Sequence, residues 1–200
     1  MKIIGITGPS GAGKSLLSEA FTKRNIPVID ADAVYHALLI PPSPCLDALC
    51  DAFGNDILTP EGNLNRRRLG EIVFSDPDAL QRLNTVSHAF VMAEIRNQLK
   101  KLRAKDLRAA VIDAPQLFEA EADKDCNIIV SVLSDKRTRL ERIMARDGID
   151  AEAALRRMDA QRSDEFFRTH SNYIIENNGN LDLLRPQIHR ILLETGVLSP

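Results

Sequence analysis

The sequence predicts an α/β fold in which a parallel β-sheet is covered by helices on both faces. Three observations support this: short runs rich in Ile and Val recur along the chain, they lack polar–apolar alternation, and longer segments with helical apolar spacing separate them. Strands buried on both faces have this pattern, because neither set of side chains faces water. The runs lie at residues 3–7, 28–29, 110–112, 128–133 and 173–175.

Segments with helical apolar spacing connect these strands, and the distances between the strands along the chain predict the domain organisation. Apolar residues repeat at helical intervals over 16–21 and again over 83–102. The second and third runs lie about 80 residues apart, more than one crossover helix needs. We therefore predict a core formed by residues 1–32, 89–134 and 171–200. Residues 33–88 are predicted to form a helical lobe, which contains a Pro-rich break and two turns. Residues 135–170 are predicted to form an Arg-rich lid with two short helices around Asp147 and Gly148.

Composition excludes several classes of partner. The chain has 200 residues, with 26 Lys+Arg against 28 Asp+Glu, so it lacks the basic excess of a nucleic-acid-binding protein. Arginine outnumbers lysine by 18 to 8, which favours recognition of small phosphorylated ligands, although surface ion pairs explain the same bias. Neither a membrane nor an obligate protein partner is indicated.

The cysteines and histidines indicate a reduced compartment without a zinc site. The three cysteines are odd in number, and neither they nor the four scattered histidines have metal-ligand spacing. The first residues contain a brief apolar run without a signal-peptide pattern, so we interpret them as a first strand. We expect a cytoplasmic protein.

The strongest motif is a phosphate-binding loop (P-loop) after the first strand. It fits G-x-x-x-x-G-K-[ST] in full, and a helix is predicted directly after it. The glycines let consecutive N–H groups surround a phosphate, Lys14 is expected to reach the β- and γ-phosphates, and Ser15 is expected to hold Mg²⁺. The motif predicts that a nucleoside triphosphate is bound through Gly8, Pro9, Ser10, Gly11, Ala12, Gly13, Lys14 and Ser15.

Carboxylates follow the second and third strands, at the sheet edge where ligands bind. Asp32 suits a catalytic base, while the alternative is an N-cap for the helix that begins beyond it. Asp113 ends the third strand, a position from which a carboxylate can support the metal ion through water. Glu119 is expected to cap a helix or to meet a substrate group.

Arginines in the predicted lid share a helical face. Arg139, Arg142 and Arg146 lie at i, i+3 and i+7, so the face they form can close over phosphates and neutralise their charge. The alternative is a solvated helix with ion pairs, which eight acidic residues between 135 and 170 favour. The P-loop shifts the balance toward a lid.

The chain resembles the dephospho-CoA kinases over nearly its whole length. Separated motifs carry the resemblance: the P-loop and residues 29–32, 53–58, 62–74, 88, 115–119, 142, 146, 161 and 174–177. The resemblance implies a P-loop kinase core with a five-stranded parallel sheet flanked by helices, a helical CoA-binding lobe and a small helical lid. It also implies transfer of the γ-phosphate of ATP to the 3′-hydroxyl of dephospho-CoA with Mg²⁺, the final step of coenzyme A synthesis.

Site residues are carried over from this resemblance position by position. It implies that Asp32 is the catalytic base, and that Lys14 and Arg142 act on the γ-phosphate, with Arg146 as a second lid arginine. Asn177, together with Gly179, is expected near the adenine. The acceptor is expected to contact Asp32, Leu64, Asn65, Arg66, His88 and Glu119.

The chain departs from the family pattern at several positions. Ala89 replaces a usual Pro, Gln116 a usual Leu, Arg139 a frequent Gln, and Ser171-Asn172 a usual Ala-Asp. None of these positions is assigned to the chemistry.

Two alternatives share parts of this pattern. A nucleoside or nucleoside-monophosphate kinase has the same P-loop, helical lobe and Arg-rich lid, and differs in the acceptor that stabilises it. A P-loop switch protein is expected to carry a guanine-reading Asn-Lys-x-Asp run, which this sequence lacks.

Overall fold

The computed structural model describes residues 1–105, 107–179 and 181–198. It divides into two compact units, one formed by residues 1–29 and 102–200 and the other by residues 30–101. The predicted lobe lies within the second unit, and its predicted end at residue 88 falls inside a continuous helix. The predicted lid forms three helices within the first unit.

The sheet has five strands in the order β2-β3-β1-β4-β5. β1 pairs in parallel with both β3 and β4, and β4 pairs in parallel with β5. The predicted α/β fold with a parallel sheet is therefore confirmed. The strands are β1 (Lys2–Thr7), β2 (Val28–Asp30), β3 (Ala109–Asp113), β4 (Ile128–Leu133) and β5 (Tyr173–Glu176).

Helices of the first unit pack on the sheet or form the predicted lid. The core contains strand residues such as Ile6 and Val130 together with Phe21 from one helix and Leu192 from another. This burial explains why the strands have no alternating pattern. The helices are α1 (Lys14–Thr22), α6 (Lys136–Asp147), α7 (Ala151–Asp159), α8 (Asp164–His170) and α9 (Leu181–Glu194).

The predicted break between two lid helices is confirmed, because Gly148 ends α6 in a left-handed conformation, with φ 64°. Helix α8 was not predicted from the sequence. Its Phe166 and Phe167 are adjacent and give no helical period, and its start depends on Ser163, whose hydroxyl accepts a hydrogen bond from Phe166 N at 3.2 Å.

The second unit is helical and has its own apolar core. Leu49, Ile57 and Val73 are buried in it, with Cys45. A short 3-10 helix (Asn55–Ile57) and an antiparallel bridge between Leu58 and Leu64 connect two of its helices. The α-helices are α2 (Ala31–Leu38), α3 (Pro44–Phe53), α4 (Arg66–Ser75) and α5 (Pro77–Arg103).

Cys126 lies directly over β1. A Cβ placed on Gly5 would lie 2.8 Å from its Sγ, and the thiol donates a hydrogen bond to Ala122 O at 3.3 Å. Burial, with smaller contributions from Asp125 and Asp123, raises the pKa of Cys126 to about 12. All three cysteines are free thiols.

Across residues 1–105, 107–179 and 181–198, the helices lack the combination of length and hydropathy that a bilayer crossing requires.

Candidate nucleotide site

The P-loop connects the carboxyl end of β1 to the start of α1. Gly13, the N-cap of α1, has φ 87° and ψ 40° and offers no side chain to cap the helix. A Cβ at this position would overlap Asn177 Nδ2, so both the conformation and the contact require glycine. The first N–H groups of α1 are thus left to an anionic ligand rather than to a cap.

Lys14 and Ser15 form the first turn of α1. Lys14 Nζ donates a hydrogen bond to Gly8 O at 2.9 Å, which holds the ammonium across the loop that it follows. Ser15 is exposed at the second position of the helix. Both side chains are therefore held at the loop by backbone geometry.

Oxygen ligands suited to Mg²⁺ occur at the end of β3. Asp113 Oδ2 accepts a hydrogen bond from Ser18 Oγ at 2.5 Å, which links the end of β3 to α1. Mg²⁺ prefers oxygen ligands and is usually held by one or two carboxylates together with substrate phosphates. A hydroxyl at Ser15 and a carboxylate at Asp113 are the donor types that such an ion requires.

The arginines of α6 contact the P-loop itself. Arg142 Nη1 donates to Gly11 O at 3.0 Å and to Ala12 O at 3.3 Å. Arg146 Nη2 donates to Ser10 Oγ at 3.1 Å. These two arginines are therefore directed at the P-loop, and closure of their face over phosphates stays a prediction.

Arg146 also pairs with its neighbour Asp147, through Nε–Oδ1 at 2.8 Å, and Arg157 pairs with the same carboxylate. The hydrogen bond from Arg146, followed by the charges of Arg146 and Arg157, lowers the pKa of Asp147. The lid thus contains both loop-facing arginines and the ion pairs of the solvated alternative.

Arg139 is buried between the P-loop and the rest of the lid. Its Nε donates to Ser10 O at 3.1 Å, its Nη1 to Asp164 Oδ1 at 3.1 Å and its Nη2 to Gln161 Oε1 at 3.3 Å. Burial lowers the pKa of Arg139, and the charge of Asp164 opposes this effect. Helical spacing does not report depth, so it places Arg139 on the same face as Arg142 and Arg146, and only the departure from the family pattern sets Arg139 apart in the sequence.

Asn177 follows β5 and is buried, with 2% of its surface exposed. Its Nδ2 donates to Ala12 O at 2.8 Å, and its N–H donates to Leu133 O at 2.8 Å. Asn177 therefore contacts the P-loop backbone, a contact that the expected adenine role did not include. Its exposed neighbour Gly179 follows two residues later.

Glu119 lies beside a group of aromatic rings in the first unit. Its Oε1 pairs with Arg162 Nε at 3.1 Å, and the Arg162 guanidinium lies 4.8 Å from the centre of the Phe166 ring. Phe166 in turn stacks on His170 with ring centres 4.1 Å apart. Glu119 therefore forms an ion pair and is not the N-cap of a helix.

Asp32 lies in the first turn of α2 and is exposed. The alternative interpretation of Asp32 as the N-cap is wrong. Asp30 has this role, because its Oδ1 accepts hydrogen bonds from Asp32 N at 2.9 Å and Ala33 N at 3.1 Å. The Asp32 carboxylate is thus not used for capping.

The other predicted acceptor residues lie at two places in the second unit. Leu64 packs on the lobe core, and Asn65 is the N-cap of α4, with Oδ1 accepting from Arg68 N at 3.1 Å. Arg66 is exposed at the start of α4. Burial raises the pKa of Tyr35, and the charge of Arg66 offsets part of this rise. His88 is half-buried within α5.

Two polar contacts of the site were not predicted. Gln161 Oε1 accepts a hydrogen bond from Ser10 N at 3.0 Å, and Ser18 bonds Asp113. Gln161 carries a sequence signal only through the family resemblance. Ser18 carries none, because a serine at the fifth position of a helix has no distinctive spacing.

Comparison with known proteins agrees with this geometry. The family model described as dephospho-CoA kinase matches residues 2–182. A dephospho-CoA kinase from Arabidopsis thaliana is 38% identical over 97% of this chain and 84% of its own length. Among solved structures, a Thermus thermophilus protein superposes with a TM-score of 0.82 and 30% identity, covering 100% of this chain and 98% of its own.

The dephospho-CoA kinase from Campylobacter jejuni superposes with a TM-score of 0.72 at 27% identity, covering 99% of this chain and all of its own. The resemblance inferred from the sequence motifs is therefore confirmed, and with it the P-loop kinase core. The chain belongs to the dephospho-CoA kinase family.

Proposed function

We propose that this chain transfers the γ-phosphate of ATP to the 3′-hydroxyl of dephospho-CoA, giving coenzyme A and ADP. The observation that carries the proposal is the complete P-loop between β1 and α1, in a chain that matches the dephospho-CoA kinase family over residues 2–182. In the proposed reaction the acceptor oxygen forms a bond to the γ-phosphorus while the bond from that phosphorus to the ADP oxygen breaks.

The first unit binds the nucleotide in this proposal. The N–H groups of the P-loop and of the first turn of α1 surround the phosphates, and Lys14 neutralises charge on the β- and γ-phosphates. Arg142 and Arg146, which already contact the loop, add positive charge from the lid. Mg²⁺, held by Ser15 and supported by Asp113, supplies further charge neutralisation on the phosphate oxygens when bound.

The second unit binds and activates the acceptor. Asp32 is the catalytic base, which orients the ribose 3′-hydroxyl and accepts its proton. Its exposed position in the first turn of α2, directly after β2, supports this assignment. Leu64, Asn65, Arg66 and His88 of the lobe contact the rest of the acceptor.

The reaction is proposed to take place in the cytoplasm, where the three free thiols remain reduced. Neither nucleic acid nor a protein partner takes part, since both substrates are small molecules.

A direct assay tests the function. ADP release is measured with ATP and Mg²⁺, with and without dephospho-CoA, and the product is identified as coenzyme A by mass spectrometry. We expect release that depends on dephospho-CoA and does not occur with adenosine or AMP as acceptor. Release that is the same in the presence and absence of dephospho-CoA would overturn the proposal.

The role of Asp32 has its own test in Asp32→Asn. Loss of a catalytic base lowers kcat by about 10²–10⁴-fold, whereas ADP affinity stays unchanged. Asp47→Asn is the matched control, because Asp47 is an exposed carboxylate in the first turn of α3, in the same unit. Full activity of Asp32→Asn would remove Asp32 from the mechanism and leave the family assignment intact.

A further inference from the structure

Three consecutive carbonyl groups of the P-loop are hydrogen-bonded by side chains from outside the loop. Arg139 Nε bonds Ser10 O at 3.1 Å, Arg142 Nη1 bonds Gly11 O at 3.0 Å, and Asn177 Nδ2 bonds Ala12 O at 2.8 Å. The donors come from α6 and from the residue after β5. The outer side of the loop is therefore bound at every peptide between residues 10 and 13.

Peptide geometry makes these contacts important for the opposite side of the loop. In a planar trans peptide, the C=O of one residue and the N–H of the next point in opposite directions. Donors that hold the carbonyls of residues 10–12 therefore turn the N–H groups of residues 11–13 away from those donors. The N–H of Ala12 is hydrogen-bonded within the loop, to Pro9 O at 3.2 Å. Successive N–H groups with a common direction form an anion-binding concavity.

Arg139 is held both on its loop side and on its lid side. Its side chain is 7% exposed, against 89% for Arg137 two residues earlier on the same helix. Asp164 and Gln161 hold the guanidinium from the lid side, and Gln161 Oε1 also accepts from Ser10 N at 3.0 Å. The backbone C=O of Ser10 is thus bonded by Arg139 and its N–H by Gln161, while Asp164 holds the Arg139 guanidinium.

The backbone of α6 also touches the loop. A Cβ on Gly11 would lie 2.7 Å from Arg139 O, so the helix approaches as closely as a glycine allows. A buried guanidinium needs partners for its charge, and here the partners are the loop carbonyl and the Asp164 carboxylate. Removal of the guanidinium would leave Ser10 O without this donor and would free the outer turn of the loop to rotate.

We propose that Arg139 is a positioning residue that holds the P-loop in the conformation that binds the phosphates of a nucleotide. It touches neither the nucleotide nor the acceptor in this role, and acts through Ser10 O. The inference rests on the proposed function only in taking the P-loop as the nucleotide site. Arg142 and Asn177 hold the next two peptides in the same way, but the proposed function also places these two residues near the nucleotide. A substitution of Arg139 therefore separates loop positioning from direct contact with the nucleotide.

The test compares Arg139→Met with the control Arg137→Met. Binding of ADP is measured by calorimetry, and KM is measured separately for ATP and for dephospho-CoA. We expect Arg139→Met to weaken ADP binding by about tenfold and to raise KM for ATP by a similar factor, while KM for dephospho-CoA stays within about twofold. Arg137, whose side chain pairs with Glu141 in solvent, is expected to tolerate the same change without effect.

A spectroscopic measurement separates positioning from general stability. The backbone ¹H–¹⁵N signals of Gly11 and Gly13 are expected to broaden or split in nucleotide-free Arg139→Met, while signals of α4 remain unchanged. Arg139→Lys keeps the charge but lacks the branched donors, so it is expected to restore ADP binding only in part. Wild-type ADP affinity in Arg139→Met, or an equal rise in both KM values, would overturn the proposal.

If Arg139→Met does not fold, Asp164→Asn provides the second test. The Asp164 side chain is 44% exposed and touches Arg139 from the side away from the loop contact. This variant is expected to weaken ADP binding by about twofold to threefold, and unchanged affinity would contradict the proposed role. ADP binding requires no acceptor, so a chain that binds ADP as expected but does not phosphorylate dephospho-CoA would overturn the proposed function alone.

Discussion

The nucleotide-binding unit and the helical unit organise their functional residues in different ways. In the first, buried polar side chains such as Arg139 and Asn177 bond the backbone of a glycine-rich loop. In the second, apolar residues such as Leu49 and Ile57 form the core, and the predicted acceptor residues Asp32 and Arg66 are exposed at helix starts.

The difference shows how each kind of site depends on its surroundings. A P-loop functions through the direction of its peptide groups, so side chains far apart in the chain must hold it. An exposed carboxylate at the start of a helix requires only that the helix form. The two units should therefore respond differently to equivalent substitutions.

The largest effect on activity is expected when a lysine charge is removed from the P-loop rather than from the surface. Lys14→Met removes the ammonium proposed to stabilise the transferring phosphoryl group, and we expect kcat to fall by about 10³-fold. Lys23→Met is the matched control on the same helix, because Lys23 pairs with Glu19 at the surface, with side chains 70% and 55% exposed. Steady-state kinetics measure both variants, and a kcat for Lys14→Met within about twofold of wild type would contradict the assignment.

The second comparison is between two glycines with positive φ, one in each unit. Gly13 and Gly62 have similar backbone conformations, with φ of 87° and 81°, but a Cβ on Gly13 would overlap Asn177, whereas no described heavy atom lies within 4 Å of one on Gly62. Gly62→Ala should cost about 1 kcal/mol of unfolding free energy, from conformation alone. Gly13→Ala should cost about 3 kcal/mol, because overpacking adds to the same strain.

Urea unfolding measures both free energies, and calorimetry with ADP measures binding. Nucleotide affinity should fall only in Gly13→Ala. Equal losses of unfolding free energy in the two variants would contradict the overpacking argument, because they would show that the P-loop or Asn177 moves to accommodate the added Cβ without a further loss of stability.

The smallest difference is expected in pH dependence. Asp135 caps α6, and hydrogen bonds from the Thr138 N–H and then from its hydroxyl lower the Asp135 pKa. A lowered pKa gives stability that is complete above the ordinary aspartate value and is lost as pH falls through the folded-state value. The excess stability of the wild type over Asp135→Asn should therefore begin to fall below about pH 4 and be lost as pH passes through the lower folded-state pKa.

The control for this experiment lies in the helical unit. Ser43 caps α3 with a hydroxyl that accepts a hydrogen bond from Leu46 N at 3.1 Å, so its contribution does not titrate in this range. The difference between wild type and Ser43→Ala, about 1 kcal/mol, should be the same at pH 3 and pH 7. Thermal unfolding at each pH measures both differences.

The strands and the P-loop could be predicted because their signals are local. Buried parallel strands give continuous apolar runs, and the loop needs glycines, a lysine and a hydroxyl at fixed spacing. All five predicted strands are present, with ends that differ by one residue at most. The capping role of Asp30 is also a local feature, but Asp30 and Asp32 lie only two positions apart, so the sequence offers no means to choose between them.

The polar contacts behind the P-loop could not be predicted, because they join residues far apart in the chain. Asn177 is 165 positions from Ala12, and Arg139 is 129 positions from Ser10. Helical spacing placed three arginines on one face but did not indicate which would be buried. Only the packing of α6 against Gly11 distinguishes Arg139 from Arg142 and Arg146.

The contact between Gly5 and Cys126 has a consequence for how this sequence can vary. The Cys126 sulfur occupies the space that a side chain at position 5 would need, so the two positions share one volume. An Ala at position 5 requires a smaller residue, such as Ala, in place of Cys126, together with a small shift of Leu117, whose Cδ2 would lie 3.0 Å from the added Cβ. Among related chains, the identities at these two positions should therefore covary, with glycine at the first wherever the second carries a side chain as large as cysteine.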